Sequence, residues 1–211
     1  MRFHRKIFTC MAILIAFSSS AIASEASTGL SGLLNGIKTM RAGFTQTILD
    51  NRGAAIQKST GKMAIERPGK FRWEVSKPMP QLIIANAERL WIYDSDLEQV
   101  TIRSLKNEAG EAPALLLSQQ NTQLENDYNI QSMKKDGSLQ WFLLKPKKHD
   151  NMFASVKMGF ENAELKEMVL EDQIGHSTRV QFQKIEMNLA LPSSLFIFKA
   201  PKGTDVIDET R

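Results

Sequence analysis

The chain is predicted to be a mainly β, antiparallel sandwich or barrel folded as one domain, and three observations carry that expectation. Short runs of alternating apolar and polar residues follow one another along almost the whole sequence. Turn-forming residues separate them. No long amphipathic helix stands between consecutive runs, as the crossovers of a parallel sheet would require.

The chain opens with a segment of a different kind. Arg2, His4, Arg5 and Lys6 form a cationic start, Ile7 to Phe17 is apolar apart from Thr9, and Ala21-Ile22-Ala23 is a small-x-small cleavage site. This pattern predicts a secretory signal peptide over residues 1–23, its apolar part too short for a stop-transfer helix. The remaining residues, 24–211, are expected to form a single domain. Cys10 lies in the removed segment, so the processed chain has no disulfide, thiol nucleophile or thiolate ligand. Cleavage also removes Arg2, Arg5 and Lys6 from the 27 basic residues, leaving 24 against 23 acidic ones. That near-neutral balance argues against a nucleic-acid binder, which presents a basic face.

Leu30, Leu33, Leu34 and Ile37 follow at i, i+3, i+4 and i+7, one stripe of an amphipathic helix. Gly29, Gly32 and Gly36 beside it each cost about 1 kcal/mol relative to alanine in a helix interior, so this helix needs tertiary support. Strands are expected at 44–49, 57–67, 70–76, 81–85, 90–93 and 99–103. A second short helix is expected over Pro113–Ser118, apolar nearly all round and therefore in need of a cover. Further strands follow at 128–133, 139–144, 154–160, 165–170, 178–187 and 195–198. Lys135-Asp136-Gly137-Ser138 is a hairpin signal.

The stretch Ile65 to Val75, IERPGKFRWEV, shows how the sheet is sided. Side chains alternate between faces, so Met63, Ile65 and Arg67 share one face before the Pro68-Gly69 turn, and Phe71, Trp73 and Val75 share one after it. The other parity is mostly charged. Arg67 thus stands on the apolar parity, and two readings are open from position alone: a solvated hairpin arginine, or a donor that fastens whatever covers the greasy face. A curved sheet with an apolar concave face and a helical lid accounts for Arg67, the two helices and the surplus of Phe71, Trp73, Leu90 to Ile92, Trp141 to Leu144, Phe196 and Phe198.

Catalytic patterns are scarce. His149 and His176 stand in no metal-ligand or zinc-protease spacing, and each reads as a solvated loop imidazole. Asp94 and Asp96 resemble a glycosidase-like pair only in number, and Tyr93-Asp94-Ser95-Asp96 reads as a turn between strands. The sequence contains no G-x-S-x-G, P-loop or G-x-G-x-x-G. No enzyme activity and no cofactor or metal are expected.

Phe44-Thr45-Gln46, Glu66-Arg67-Pro68-Gly69-Lys70-Phe71-Arg72-Trp73, Leu90-Trp91-Ile92-Tyr93-Asp94, Ala112-Pro113-Ala114-Leu115-Leu116-Leu117 and the ending Phe198 to Asp208 resemble, in order and spacing, the periplasmic outer-membrane lipoprotein carrier family, LolA. The resemblance implies an unclosed antiparallel β-barrel, a half-barrel whose apolar cavity is covered by short helices. It implies acylated outer-membrane lipoproteins as cargo, taken from an inner-membrane ABC transporter and handed to a lipid-anchored outer-membrane receptor by a periplasmic monomer. It also implies a latch in which Arg67 bonds backbone carbonyls of the lid helices at Leu34, Leu117 and Ser118. Met63, Ile65, Phe71, Trp73 and Leu90 then line the cavity, with Phe71 in contact with the transporter, and Arg41 and Arg52 are further candidates for the rim. Ala114, where a bulkier aromatic is common, and the glycines of the first helix depart from the family pattern. Two other functions fit a half-barrel: a periplasmic sensor domain for lipid or lipoprotein in a regulatory protein, and a hydrolase of envelope lipids, which the missing nucleophile motif disfavours.

Overall fold

The computed structural model describes residues 19–86, 88–104, 117–118, 124–148 and 152–210. One twelve-stranded sheet dominates it. Helix α1 (Ser19–Asn35) is followed by β1 (Thr39–Leu49), β2 (Ala55–Glu66), β3 (Lys70–Lys77), β4 (Gln81–Asn86), β5 (Arg89–Asp94) and β6 (Gln99–Ser104). After the short helix α2 (Leu124–Asp127) come β7 (Tyr128–Ser132), β8 (Gln140–Pro146), β9 (Phe153–Glu161), β10 (Glu164–Asp172) and β11 (Ser177–Met187). A 3-10 turn at Ser193–Phe196 then leads to β12 (Asp205–Asp208).

The spatial order is β12-β6-β5-β4-β3-β2-β1-β11-β10-β9-β8-β7. The chain therefore starts at the middle of the sheet, meanders to one side through β6, restarts at the far edge with β7 and returns to pair β11 with β1. Every pairing is antiparallel except β12 with β6, and the outermost strands β12 and β7 do not meet.

The period-2 pattern sorts the side chains as the sequence suggests. On one face the cross-strand pairs Ile65–Phe71, Met63–Trp73, Trp73–Ile83 and Ala85–Leu90 run from strand to strand, and these residues belong to one buried cluster. Phe44 stacks on Trp73 with ring centroids 3.6 Å apart, within that cluster. The far half of the sheet continues it with Phe142, Val156, Met158, Phe160, Met168 and Val180.

Three features depart from the sequence expectation. Residues 195–198 are not a strand: Ser193–Phe196 form a 3-10 turn with Leu195 N–H bonded to Pro192 C=O at 3.1 Å. Pro192 starts this turn, and Phe196 is used as a plug rather than as a strand residue. Its segment lies over the second face of the sheet, where Ile84 and Val100 are also buried and Phe198 contacts Tyr93 at 5.7 Å. The half of the sheet holding β3 to β6 is thus covered on both sides. Finally, β12 forms from a four-residue segment whose side chains are all exposed. Its order comes from pairing with β6, a non-local contact that leaves little local trace.

Candidate functional site

The concave apolar face is closed by a lid. Helix α1 turns Ala26, Leu30 and Leu34 into the core, at i, i+4 and i+8, and Ile37 follows just beyond its end. All four are essentially inaccessible. Leu117 and Ser118, in a short 3-10 turn, are buried completely; the rest of the expected second helix lies outside the described residues. Each fully buried leucine contributes about 1.5 to 3 kcal/mol, so apolar burial supplies most of the force that holds the lid down.

The Arg67-Pro68-Gly69 turn between β2 and β3 ties both lid elements to the sheet. Arg67 N–H donates to Lys38 C=O at 2.9 Å, just past α1, and Gly69 N–H donates to Ser118 C=O at 2.8 Å. The Arg67 side chain donates from Nε to Leu117 C=O at 2.6 Å. Gly69 has a φ of 75°, a backbone conformation that glycine adopts without strain. Among the described residues Arg67 Nη2 is buried with no hydrogen-bond partner, and burial pushes the pKa of the guanidinium down to about 10.

The expected latch residues are therefore arranged in a particular way. Leu117 carries the side-chain bond. Ser118 is held by the backbone of Gly69 and not by the guanidinium. The Leu34 carbonyl accepts from Ile37 N–H at 3.1 Å, so the C-terminal turn of α1 satisfies it internally. A bond from a charged donor contributes about 1.5 to 3 kcal/mol, whereas a buried unpartnered polar group costs about 1 to 3 kcal/mol. These terms nearly cancel, and Arg67 as it stands is a weakly net-stabilising fastener on a lid held mainly by leucines.

Met63, Ile65, Phe71, Trp73 and Leu90 all face the lid and are 2% exposed or less. The apolar concavity is filled by its own lid rather than open. Phe71, expected to touch a partner, lies wholly inside, opposite Ala85 and 6.2 Å from the Trp73 ring. A partner reaches it only if the lid leaves. Arg41 is on the other face, paired with Glu186 at 2.5 Å, and Arg52 is exposed in the β1–β2 turn at the opposite end from Arg67.

Asp94 accepts from Asp96 and Leu97 N–H in its own turn, and His176 Nδ1 lies 3.3 Å from Asp172 in another. His149 is outside the described residues. No group of three His, Cys, Asp or Glu capable of holding a metal occurs among the described residues. No helix among them is long and apolar enough to cross a membrane.

Sequence reasoning missed Asn188. Its Nδ2 donates to Gly36 C=O at 2.9 Å, and its Oδ1 accepts from Lys38 N–H at 2.9 Å. Its own N–H donates to Thr39 C=O at 2.8 Å. Asn188 thus pegs the hinge between α1 and β1 to the end of β11, at a φ of 60° that asparagine tolerates better than most residues. Asn188→Ala is expected to lower stability by about 1 to 2 kcal/mol, read by urea denaturation, because both side-chain bonds are lost at an exposed position. Hydrogen exchange should rise first at the end of α1.

An unclosed antiparallel half-barrel with a helix-covered apolar face defines the structural class. The same fold is found in an uncharacterised conserved protein from Thermus thermophilus (TM-score 0.52, 12% identity, covering 91% of this chain and 99% of that one). It is also found in a putative outer membrane lipoprotein-sorting protein domain from Vibrio parahaemolyticus (TM-score 0.50, 13% identity, covering 82% and 97%). Residues 35–199 match the model of the family described as outer membrane lipoprotein carrier protein LolA. The chain is 42% identical to an outer-membrane lipoprotein carrier protein of Chromobacterium violaceum over 201 residues, covering 95% of this chain and 96% of that protein. A relative of the same name from Pseudomonas aeruginosa is 38% identical over 209 residues, covering 99% and 100%. This chain belongs to the LolA family.

Proposed function

We propose that this protein is a periplasmic chaperone that binds the acyl chains of lipoproteins released from the inner membrane and delivers them to the outer membrane. The observation that carries this reading is the continuous apolar face under a lid fastened at one turn. Three acyl chains crossing an aqueous space expose enough methylenes, at about 0.8 kcal/mol each, to cost tens of kcal/mol. That exceeds what Leu30, Leu34 and Leu117 contribute to closure, so cargo can displace the lid. The chains then occupy the face formed by Met63, Ile65, Phe71, Trp73 and Leu90. Residues 1–23 act as the export signal, with cleavage inside what is the α1 segment of the precursor. An inner-membrane ABC transporter supplies the energy for loading, and a lipid-anchored receptor of related fold accepts the cargo. Full-length similarity to proteins named as carriers gives the sensor alternative no comparable support.

The test is purification from the periplasm of cells making a tagged outer-membrane lipoprotein, followed by mass spectrometry. Triacylated lipoprotein in roughly stoichiometric amount is expected with the wild-type chain, and little with Trp73→Asp or Leu90→Asp, whose charge makes burial of an apolar chain unfavourable. Recovery of the wild-type protein without acylated partner would contradict the reading, as would normal outer-membrane lipoprotein levels after its depletion.

A further inference from the structure

The two ends of the half-barrel differ. At the end away from Arg67 lie five hairpin connections, β1–β2, β3–β4, β5–β6, β8–β9 and β10–β11. In or beside each a large apolar side chain faces solvent: Ile56, Met79, Leu97, Met152 and Ile174, all between 58% and 71% exposed. Ile56 is the extra residue of a bulge, since Ile48 pairs with Gln57 and Leu49 with Ala55. Met79 stands between Pro78 and Pro80. Two further tips are fixed by aspartates: Asp94 Oδ1 accepts from Leu97 N–H at 3.1 Å, and Asp172 Oδ1 accepts from Ile174 N–H at 2.9 Å. The described connections at the opposite end carry Pro68, Glu88, Lys134, Lys135, Asp136 and Asn162 at their tips. Only Met133 and Leu189 among the strongly exposed apolar residues described stand at that end, beside strand termini.

We propose that this ring of five apolar tips is a bilayer-contacting rim. The tips sit on separate turns along an arc, an arrangement that suits a lipid surface better than a peptide. Three are flanked by cations that make no ion pair among the described residues: Arg52 and Lys58 beside Ile56, Lys77 beside Met79, and Lys148 near Met152. These match headgroup phosphates. The rim is also continuous with the interior. A cavity of about 180 Å³ runs from Pro78 and Met79 past Gln46, Gln57 and Ser59 to Trp73, Val75 and Ile83, two of which, Trp73 and Ile83, belong to the face under the lid. A carrier resting on this rim points its opening at the hydrocarbon. This last step rests on the acyl-binding reading above; the contact itself does not.

The experiment is flotation of the mature protein with vesicles of phosphatidylethanolamine and phosphatidylglycerol, beside binding of a fluorescent fatty acid in solution. The wild-type protein should float, largely independently of salt, because insertion of apolar tips and not charge dominates. Ile56→Asp, Leu97→Asp and Ile174→Asp combined should reduce the floating fraction at least about tenfold. The same triple variant should keep its fatty-acid binding, which also shows that it folds. Met133→Asp with Leu189→Asp, at the other end, should float as wild type does. A wild-type protein that binds the fatty acid but stays off vesicles overturns the rim and leaves the carrier reading standing. So does undiminished flotation of the triple variant, equal loss in the control, or flotation abolished by moderate salt. Flotation without fatty-acid binding supports the contact while removing the reading on which its orientation rests.

Discussion

If the protein carries lipoproteins as proposed, Arg67→Leu should accept cargo normally and release it to the proposed outer-membrane receptor about five- to tenfold more slowly than wild type, with little change in resistance to urea. Among the described residues the closed lid receives one charged bond from this side chain, Arg67 Nε to Leu117 C=O at 2.6 Å, and it is available only when the lid is down. Set against the relief of the unpartnered Nη2, losing the bond takes about 1 kcal/mol net from the closed state and shifts the equilibrium between loaded and closed forms about fivefold toward the loaded one. Leucine adds to the shift by enlarging the apolar face and removing a cation whose pKa burial already holds down at about 10. Global stability is much less affected, because the lid rests mainly on Leu30, Leu34 and Leu117 and the unpartnered Nη2 disappears together with the bond. Arg67→Lys should fall between, since an ammonium can reach one carbonyl but lacks the planar fork. A purified, loaded Arg67→Leu carrier that transfers cargo at the wild-type rate would reduce this arginine to a structural filler of the turn.

Much of this arrangement is legible in the sequence, for identifiable reasons. A strand buried on one face alternates in its own residues, so Met63, Ile65, Phe71 and Trp73 announce their side before any partner strand is known. The amphipathic stripe of α1 is equally local. Arg67 breaks the apolar parity, and that break marks the site. What receives the arginine is not local: the Leu117 carbonyl is 50 residues away and can be expected only through family resemblance. Leu34 illustrates the opposite case, because its carbonyl finds a nearer donor in Ile37. The Ser193–Phe196 turn is hidden by apolar residues that fit a strand as well as a plug. The edge strand β12 is hidden by its lack of burial. Asn188 gives no pattern at all, since a peg between a helix end and a distant strand is defined only by the folded chain.

Gly61→Ala should be among the most damaging small substitutions in the protein, lowering unfolding stability by about 3 kcal/mol or more. A Cβ built on Gly61 falls 2.0 Å from the Glu74 carbonyl oxygen and 2.5 Å from Phe44 Cζ. The first neighbour is backbone, in the strand that pairs with β2 through a bulge between Thr60 and Gly61, so it can retreat only by loosening the ladder. The second is a ring with 0% exposure, stacked on Trp73 at 3.6 Å and 15°. Phe44 pairs directly with Gly61 across β1 and β2 and uses the absent side chain as its seat. Pushing the ring away tilts the floor on which the proposed acyl chains lie. Gly61→Ala should therefore change tryptophan fluorescence and near-UV circular dichroism even under conditions where far-UV signal shows the sheet intact. Gly32→Ala is the control: a Cβ there has no described neighbour within 4 Å, and the change should be neutral or stabilising by about 0.5 to 1 kcal/mol. If Gly61→Ala unfolds at the same urea concentration as wild type, the close approach of Phe44 and the β3 backbone is not a property of the folded protein, and the stacked floor of the concave face goes with it.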